Sequence, residues 1–365
     1  MKAVINGEIR DYQTVWMEDD VVCLINQLLL PHRFEIYRSR GYMETADAIK
    51  NMIVRGAPAI GATASYGMAQ AILEYDSEFN GFKAYLDEVR EFFHQTRPTA
   101  YDLFHAVEHI YNKVIESSDI KDARQKATKE SRRYAEESAA MCRRIGEIGE
   151  DLLENGMNIL THCNAGALAC VDYGTALSPL RMAHYNKKKM HVYVDETRPR
   201  MQGSRLTAWE LLQEGIDYSI IADNAAGYFM SKGEIDLVII GADRIALNGD
   251  VVNKIGSYEK AVVARENNIP FYVAAPHSTI DFKCKSGKDI KIEERNREEV
   301  LGMLGFDRER KEVRKIRTSP GGSNARNPAF DVTPSEYITG IVTEEGIYKP
   351  DKIKKLRDNI RSILS

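Results

Sequence analysis

From residue 157 onward, five short apolar runs, MNILTHC, KMHVYVDE, YSIIAD, IDLVIIGAD and PFYVAAP, alternate with segments of helical length such as RLTAWELLQEG and SYEKAVVARENN. Runs this short and this apolar read as strands covered on both faces, and helix-length connectors between them imply parallel strands. The chain is therefore predicted to be α/β, with a Rossmann-like, doubly wound parallel sheet in its C-terminal part. Ligands of such sheets bind beyond the carboxyl ends of the strands. The first candidates for function are thus residues 162–166, 195–198, 223–224, 241–244 and 275–277.

The N-terminal part reads differently. Residues 21 to about 115 have a mostly helical pattern, in which VVCLINQLLL stops at Pro31 and YMETADAIKNMIV carries apolar positions at helical spacing. RGAPAIGATASYGMAQAIL runs from a glycine and proline turn into a helix of small residues that permits close packing. Residues 119–155 are charged, Ala-rich and free of proline, which predicts a long, largely solvent-facing helix bridging two domains. The expected division is a mostly helical domain with short strands over 1–125 and a Rossmann-like catalytic domain over 126–365, entered through the long helix.

Composition removes several functional classes. With 50 Lys and Arg against 54 Asp and Glu, the net charge of −4 offers no general attraction to nucleic acid or to an anionic membrane. No apolar stretch approaches the length of about 18 residues that a span needs, and MKAVINGEIRDYQTVW lacks the layout of a signal peptide. A cytoplasmic protein with neither a nucleic-acid nor a membrane partner is expected. The five cysteines, 23, 142, 163, 170 and 284, include no CxxC pair, which argues against a disulfide framework and against structural zinc. No GxGxxG follows the first run and no glycine-rich loop ends in Gly-Lys-Ser/Thr, so dinucleotide and P-loop chemistry are both rejected. HAVEH puts His105 and His109 one helical turn apart beside Glu108, but without a further ligand the pair reads as helix-surface histidines rather than a metal site. His162 points to the opposite face of a strand from Cys163 and reads as structural.

Polar residues cluster at the run ends or just after them: Cys163, Glu196, Arg198, Gln202, Asp223, Asn224, Asp243, Asn253 and Lys254. Cys163 is followed by the small residues Ala165 and Gly166, which let a ligand come close to the strand end. Two elements suit phosphate. In VRGAPAIG, Arg55 stands beside the backbone amides of Gly56 and Ala57; in NGDVVNKIGSY, Lys254 supplies a cation. Arg97, before a proline, is expected outside a helix interior.

Six segments, MIVRGAPAIGATASYGMA, ILTHCNAGALA, DETRPRMQGSRLTAWEL, GADRIALNGDVVNKIGSYEKAVVA, PFYVAAPHSTID and NPAFDVTPSEYITGIVTEEG, resemble in order the signatures of the methylthioribose-1-phosphate isomerases. That family shares a superfamily with ribose-1,5-bisphosphate isomerases and with regulatory subunits of the translation initiation factor 2B complex. The resemblance implies a helical domain followed by a Rossmann-like one, a homodimer, and a place in methionine salvage. It also implies a catalytic pair, Cys163 and Asp243, and a sugar phosphate held by Arg55, Gly56, Ala57, Arg97, Gln202, Asn253 and Lys254.

An aldose carrying phosphate at C1 cannot open its ring spontaneously, so the enzyme itself must promote cleavage between C1 and the ring oxygen. The expected general acid is Asp243, kept protonated by desolvation behind the apolar IDLVIIGA; an N-cap on a following helix is the alternative role for this carboxylate. Hydrogen then moves from C2 to C1. Cys163 either acts as the base of an enediolate route, its thiolate favoured by amides at a helix N-terminus, or shapes an apolar site for a direct hydride shift. Neither route calls for a metal or an organic cofactor. The C5 substituent stays open between methylthio, deoxy and phosphate, and a non-catalytic translation-factor subunit is the reading from another class.

Overall fold

The computed structural model describes residues 1–5, 7–97, 101–354 and 356. They divide into two units, one formed by Met1–Leu28, Phe34–Arg143 and Gly166–Gly174, the other by Leu29–Arg33, Arg144–Ala165 and the chain from Thr175 on.

The first unit begins with a hairpin, β1 (Lys2–Ile5) and β2 (Glu8–Asp11), and continues into an antiparallel sheet of β3 (Val15–Glu18), β4 (Val21–Ile25) and β5 (Ile36–Ser39). Here one expectation fails. VVCLINQLLL, read from its pattern as helical, contributes the central strand β4 and then turns. Val21, Val22 and Ile25 are β-branched, and pairing on both sides to β3 and β5 satisfies the backbone of this short run without a helix. The helices α1 (Tyr42–Lys50), α2 (Ala57–Glu74), α3 (Phe82–Thr96) and α4 (Tyr101–Val114) follow, then α5 (Ile120–Gly149), 30 residues long.

Helix α2 is the hub of this unit. Every residue from 59 to 72 is buried, and the small side chains foreseen in the sequence are the reason. A Cβ at Gly67 would lie 2.4 Å from the Phe93 ring of α3, and one at Gly61 would lie 3.1 Å from the Asp102 carbonyl of α4. Only hydrogen fits at the first of these positions. Helix α5 is less solvent-facing than its charge suggests, because Ala123, Ala127, Ala135, Cys142 and Ile145 form a buried stripe.

The second unit contains β6 (Asn158–Thr161), α6 (Leu177–Tyr185), β7 (His191–Asp195), α7 (Ala208–Glu214), β8 (Tyr218–Ile221), α8 (Ala226–Ser231) and β9 (Leu237–Ile240). After them come β10 (Arg244–Ala246), β11 (Val251–Lys254), α9 (Ser257–Glu266), β12 (Phe271–Ala274), β13 (Ile280–Asp281), α10 (Glu298–Leu301), β14 (Gly302–Asp307) and β15 (Glu312–Arg317). The last strands are β16 (Phe330–Thr333), β17 (Gly340–Thr343) and β18 (Gly346–Tyr348).

The main sheet has the order β18-β17-β12-β9-β6-β7-β8. All five apolar runs lie in it as parallel strands, joined by β17 as a sixth and by β18 as an antiparallel edge. Counted along the chain, the parallel strands stand in the order 3-2-1-4-5-6, the doubly wound arrangement that the pattern predicted. A second sheet, β13-β10-β11-β16, and a hairpin, β14-β15, complete the unit. Among the described residues no helix is long and apolar enough to cross a membrane.

The C-terminal end of α5 rests on α6 through two glycines. A Cβ at Gly146 would meet the Ser178 hydroxyl at 2.2 Å, and one at Gly149 would meet the Pro179 ring at 2.5 Å. A serine hydroxyl can rotate away, but a proline ring cannot. Gly149→Ala is therefore expected to destabilise the protein by about 1–3 kcal/mol through overpacking, although alanine is favoured over glycine in helices by about 1 kcal/mol. Thermal or urea unfolding checks this: an unchanged or higher midpoint would mean that α5 has room to spare.

Candidate active site

The strand order of the main sheet reverses between β6 and β9, where the crossover helices pass to opposite faces and leave the carboxyl ends of these two strands uncovered. Cys163 lies two residues beyond β6 and Asp243 three residues beyond β9. The two loops approach closely, since a Cβ at Gly241 would stand 2.6 Å from that of Ala165.

Cys163 is buried and adopts a left-handed backbone conformation, φ 66°, that side chains rarely take. Its N–H donates to Thr197 Oγ1 at 2.8 Å and its carbonyl accepts from Thr207 Oγ1 at 2.6 Å. A single 3₁₀ turn, Ala167–Ala169, stands in place of the helix expected after the thiol. Residues 166–174 leave for the other unit, and α6 starts only at Leu177. Asp243 is half-buried, and its N–H donates to the Val252 carbonyl at 2.9 Å. It leads into strand β10 instead of a helix, so the alternative role as an N-cap has no helix to cap. Its carboxylate forms no hydrogen bond or ion pair among the described residues.

Beneath these loops lies a buried charged network that the sequence did not announce. His162 places Nδ1 2.8 Å from Asp195 Oδ2 and Nε2 2.8 Å from the Ile255 carbonyl. With Asp195 ionised both partners are acceptors and both ring nitrogens carry protons; burial raises the Asp195 pKa as well, so the pair holds its proton together. Burial works against that charge, but the Asp195 carboxylate outweighs it and the pKa is raised. Lys260, also buried, stands 3.8 Å from Asp195 Oδ2 and donates to the Asp223 carbonyl at 2.5 Å. A signal for Lys260 did exist: in α9 it shares the buried face with Ser257, Ala261 and Ala264, positions otherwise occupied by small residues. Asp331 accepts from the amides of Gly256 and Tyr258 at the start of α9, at 2.6 and 3.1 Å. Glu196, half-buried at the end of β7, has its pKa raised by burial and by Asp223 and Asp195.

The loop after β7 is organised from the same side. Asp223 accepts from the amides of Thr197 and Arg198 at 2.6 and 2.7 Å. Gln202 is buried ahead of a π-helical stretch, Gly203–Thr207, and its Oε1 has no hydrogen-bond partner among the described residues. Gly203 is required here, because a Cβ would fall 1.6 Å from the Asp195 carbonyl oxygen. Asn164 donates to Glu210 Oε1 at 2.8 Å, and Glu210 in turn holds the fully buried Arg181 at 2.5 Å. On β11, Asn253 donates to Ser257 Oγ at 2.9 Å, while Lys254 donates to the Ala329 carbonyl at 2.8 Å and lies over the Phe330 ring.

Cys163, Gln202, Asp243, Asn253 and Lys254 thus belong to one unit, in loops or strands about the carboxyl ends of the sheet. Arg55, Gly56, Ala57 and Arg97 belong to the other. Gly56 precedes α2 with φ 96°, and a Cβ there would lie 2.4 Å from Ala169. Arg55 and the amides of Gly56 and Ala57 therefore sit at the N-terminus of a long helix without an acidic residue in its first turn, a setting suited to an anion. Arg97 follows the end of α3 in a non-helical conformation, as its place before proline implied.

Both histidines of HAVEH lie beside the Tyr134 ring. His105 Nδ1 lies 3.3 Å from the Tyr134 hydroxyl, and His109 Nε2 lies 3.4 Å from Glu130. One group among the described residues has metal-ligand spacing, His162, Asp195 and Asp223. Its atoms are already used: His162 Nδ1 is shared with Asp195, Asp223 holds two amides, and the Lys260 ammonium stands where a cation would be repelled.

Residues 53–350 match the Initiation factor 2 subunit family. The methylthioribose-1-phosphate isomerase of Acetivibrio thermocellus is 50% identical over 344 residues, covering 92% of this chain and 97% of that protein. The chain belongs to the methylthioribose-1-phosphate isomerase family. It is accordingly an enzyme of the aldose–ketose isomerase class. Among solved structures, 5-methylthioribose 1-phosphate isomerase from Pyrococcus horikoshii is 41% identical with a TM-score of 0.85, covering 97% of both chains. A structure from A. fulgidus described as translation initiation factor eIF-2B, subunit delta, is 42% identical with a TM-score of 0.80, covering 94% of this chain and 97% of that one.

The raised pKa of His162 sets the sign of a pH effect. Its interaction with Asp195 stabilises the fold fully below the ordinary histidine value of about 6.5, and this contribution is lost as pH rises through the higher folded value. The stability advantage of the wild type over His162→Asn is therefore expected to shrink as pH rises above neutrality. Urea unfolding of both proteins at several pH values checks it, and a difference independent of pH would contradict the proton assigned to the pair.

Proposed function

We propose that this protein converts 5-methylthioribose 1-phosphate to 5-methylthioribulose 1-phosphate, a step of methionine salvage. The observation that carries the proposal is the occurrence, in a chain of this family, of a buried cysteine and an aspartate whose carboxylate has no partner among the described residues, beyond the two strands that flank the reversal of the sheet. Asp243 is assigned as the general acid. With no hydrogen bond or ion pair among the described residues, its carboxyl group is available to protonate the ring oxygen as the bond from C1 breaks.

Cys163 is assigned to the transfer of hydrogen from C2 to C1. As a thiolate it removes the C2 proton and an enediolate forms; in a hydride shift it lines the water-excluded surface over which hydrogen migrates. Gln202, whose buried amide oxygen has no hydrogen-bond partner among the described residues, suits a sugar hydroxyl as donor. The remaining assignments are Arg55, the Gly56 and Ala57 amides, Arg97, Asn253 and Lys254 as ligands of the sugar phosphate. Chemistry of this kind requires neither metal nor organic cofactor. A homodimer is part of the proposal.

A second reading is a non-catalytic regulatory subunit that binds a sugar phosphate or nucleotide and contacts a translation factor; the likeness to the A. fulgidus structure described as an eIF-2B subunit favours it. Proton NMR in heavy water separates the two. Methylthioribose 1-phosphate is expected to be converted to its ketose, with Cys163→Ala and Asp243→Asn each lowering kcat by about 10²–10⁴-fold. Solvent deuterium at C1 of the product marks the enediolate route, and its absence the hydride shift. No turnover of this sugar, of 5-deoxyribose 1-phosphate or of ribose 1,5-bisphosphate, with binding intact, would sink the isomerase reading.

A further inference from the structure

Strand β6 ends at Thr161, so the backbone groups of Cys163 have no strand to pair with. Both are met by threonine hydroxyls. Thr197 Oγ1 accepts from the Cys163 N–H and passes its own proton to the Asp195 carbonyl at 3.0 Å. Thr207 Oγ1 donates to the Cys163 carbonyl and accepts from Asn164 Nδ2 at 3.2 Å. Each hydroxyl thus spends one proton and one lone pair, and both threonines are fully buried.

Neither arrangement is a local convenience. A threonine in a helix ordinarily turns its hydroxyl back to a carbonyl of its own preceding turn. Thr207, at the end of the π-helical stretch, instead reaches a residue 44 positions away. Thr197 is itself left-handed, φ 62°, and is held by the Asp223 carboxylate through its N–H. A non-glycine residue such as Cys163 persists at positive φ only where its surroundings over-determine it. Here the two hydroxyls grip it from before and behind, with Asp223 and Asn164 fixing the grip.

We propose that Thr207 and Thr197 are positioning residues for the proposed reaction, clamping the Cys163 backbone in its left-handed conformation and so fixing the direction of the thiol. The inference rests on the catalytic assignment of Cys163, and its test is built to fail separately from that assignment. Thr207→Val keeps the shape and removes the hydroxyl; Thr207→Ser restores it. The valine variant is expected to lose about 10- to 100-fold in kcat on methylthioribose 1-phosphate with KM changed less than about twofold, because a small displacement of a reacting group costs rate more than binding. The serine variant returns to within about threefold of wild type.

Alkylation of Cys163 by iodoacetamide, followed by peptide mass spectrometry against the four other buried cysteines, reads the thiol directly. It is expected to quicken by about threefold or more in Thr207→Val and to match wild type in Thr207→Ser. If Thr207→Val does not fold, Thr197→Val takes its place in both measurements. Wild-type kcat together with wild-type alkylation in the valine variant would overturn the clamp. So would equal losses in the valine and serine variants alongside a lowered unfolding midpoint, which describe packing alone. A wild-type protein without turnover would instead refute the catalytic assignment, leaving the alkylation rates to decide the clamp.

Discussion

A parallel sheet wound outward in both directions from one strand has a single place where neighbouring strands send their crossovers to opposite faces. At that place the carboxyl ends are open, and the chain must leave them through loops without a helix overhead. In this protein the place lies between β6 and β9. The consequences radiate from it: small residues at Ala165 and Gly241 let the two loops approach, Cys163 takes an uncommon backbone conformation, and the Asp243 carboxylate has no partner among the described residues. A reactive group in such a loop cannot be oriented by the sheet itself. Side chains from other segments have to do it.

Those side chains form two systems. In one, His162, Asp195 and Lys260 concentrate charge below the strand ends, with Asp223 tying down the loop after β7. In the other, Asn164, Glu210 and Arg181 join the loop after β6 to α6 and α7. Buried charges are tolerated only when paired and hydrogen-bonded, and removing one partner leaves the other stranded at a cost of several kcal/mol. Against apolar side chains of the same shape these networks therefore gain the fold little, although breaking either pair costs it much. Their geometric effect is clearer: each makes one arrangement of the strand ends far better satisfied than any alternative.

Much of this was legible before any coordinates. The five apolar runs became parallel strands of one sheet, the small residues of α2 did permit close packing, and the charged, proline-free stretch became α5. Cys163 and Asp243 stood out because they end apolar runs. The failures share one physical origin. VVCLINQLLL is too short for periodicity to separate strand from helix, and β17 hides in ITGIVTEEG, where one apolar run lies between glycines. Likewise nothing local to HCNAG reveals that residues 166–174 depart for another unit and postpone α6 to Leu177.

The amino-acid sequence by itself determined the class of fold, the family, and the identity of the residues at the strand ends, because these depend on patterns within a few residues and on the chemistry of single side chains. Only the tertiary structure decided how those residues are held. That Thr207 reaches back to the Cys163 carbonyl, that His162 sits between Asp195 and the Ile255 carbonyl, and that Gly203 alone fits against Asp195 all depend on contacts between segments far apart in the chain. Hydrogen bonds and steric limits of that kind act over a few ångströms in space, and separation along the chain carries no trace of them.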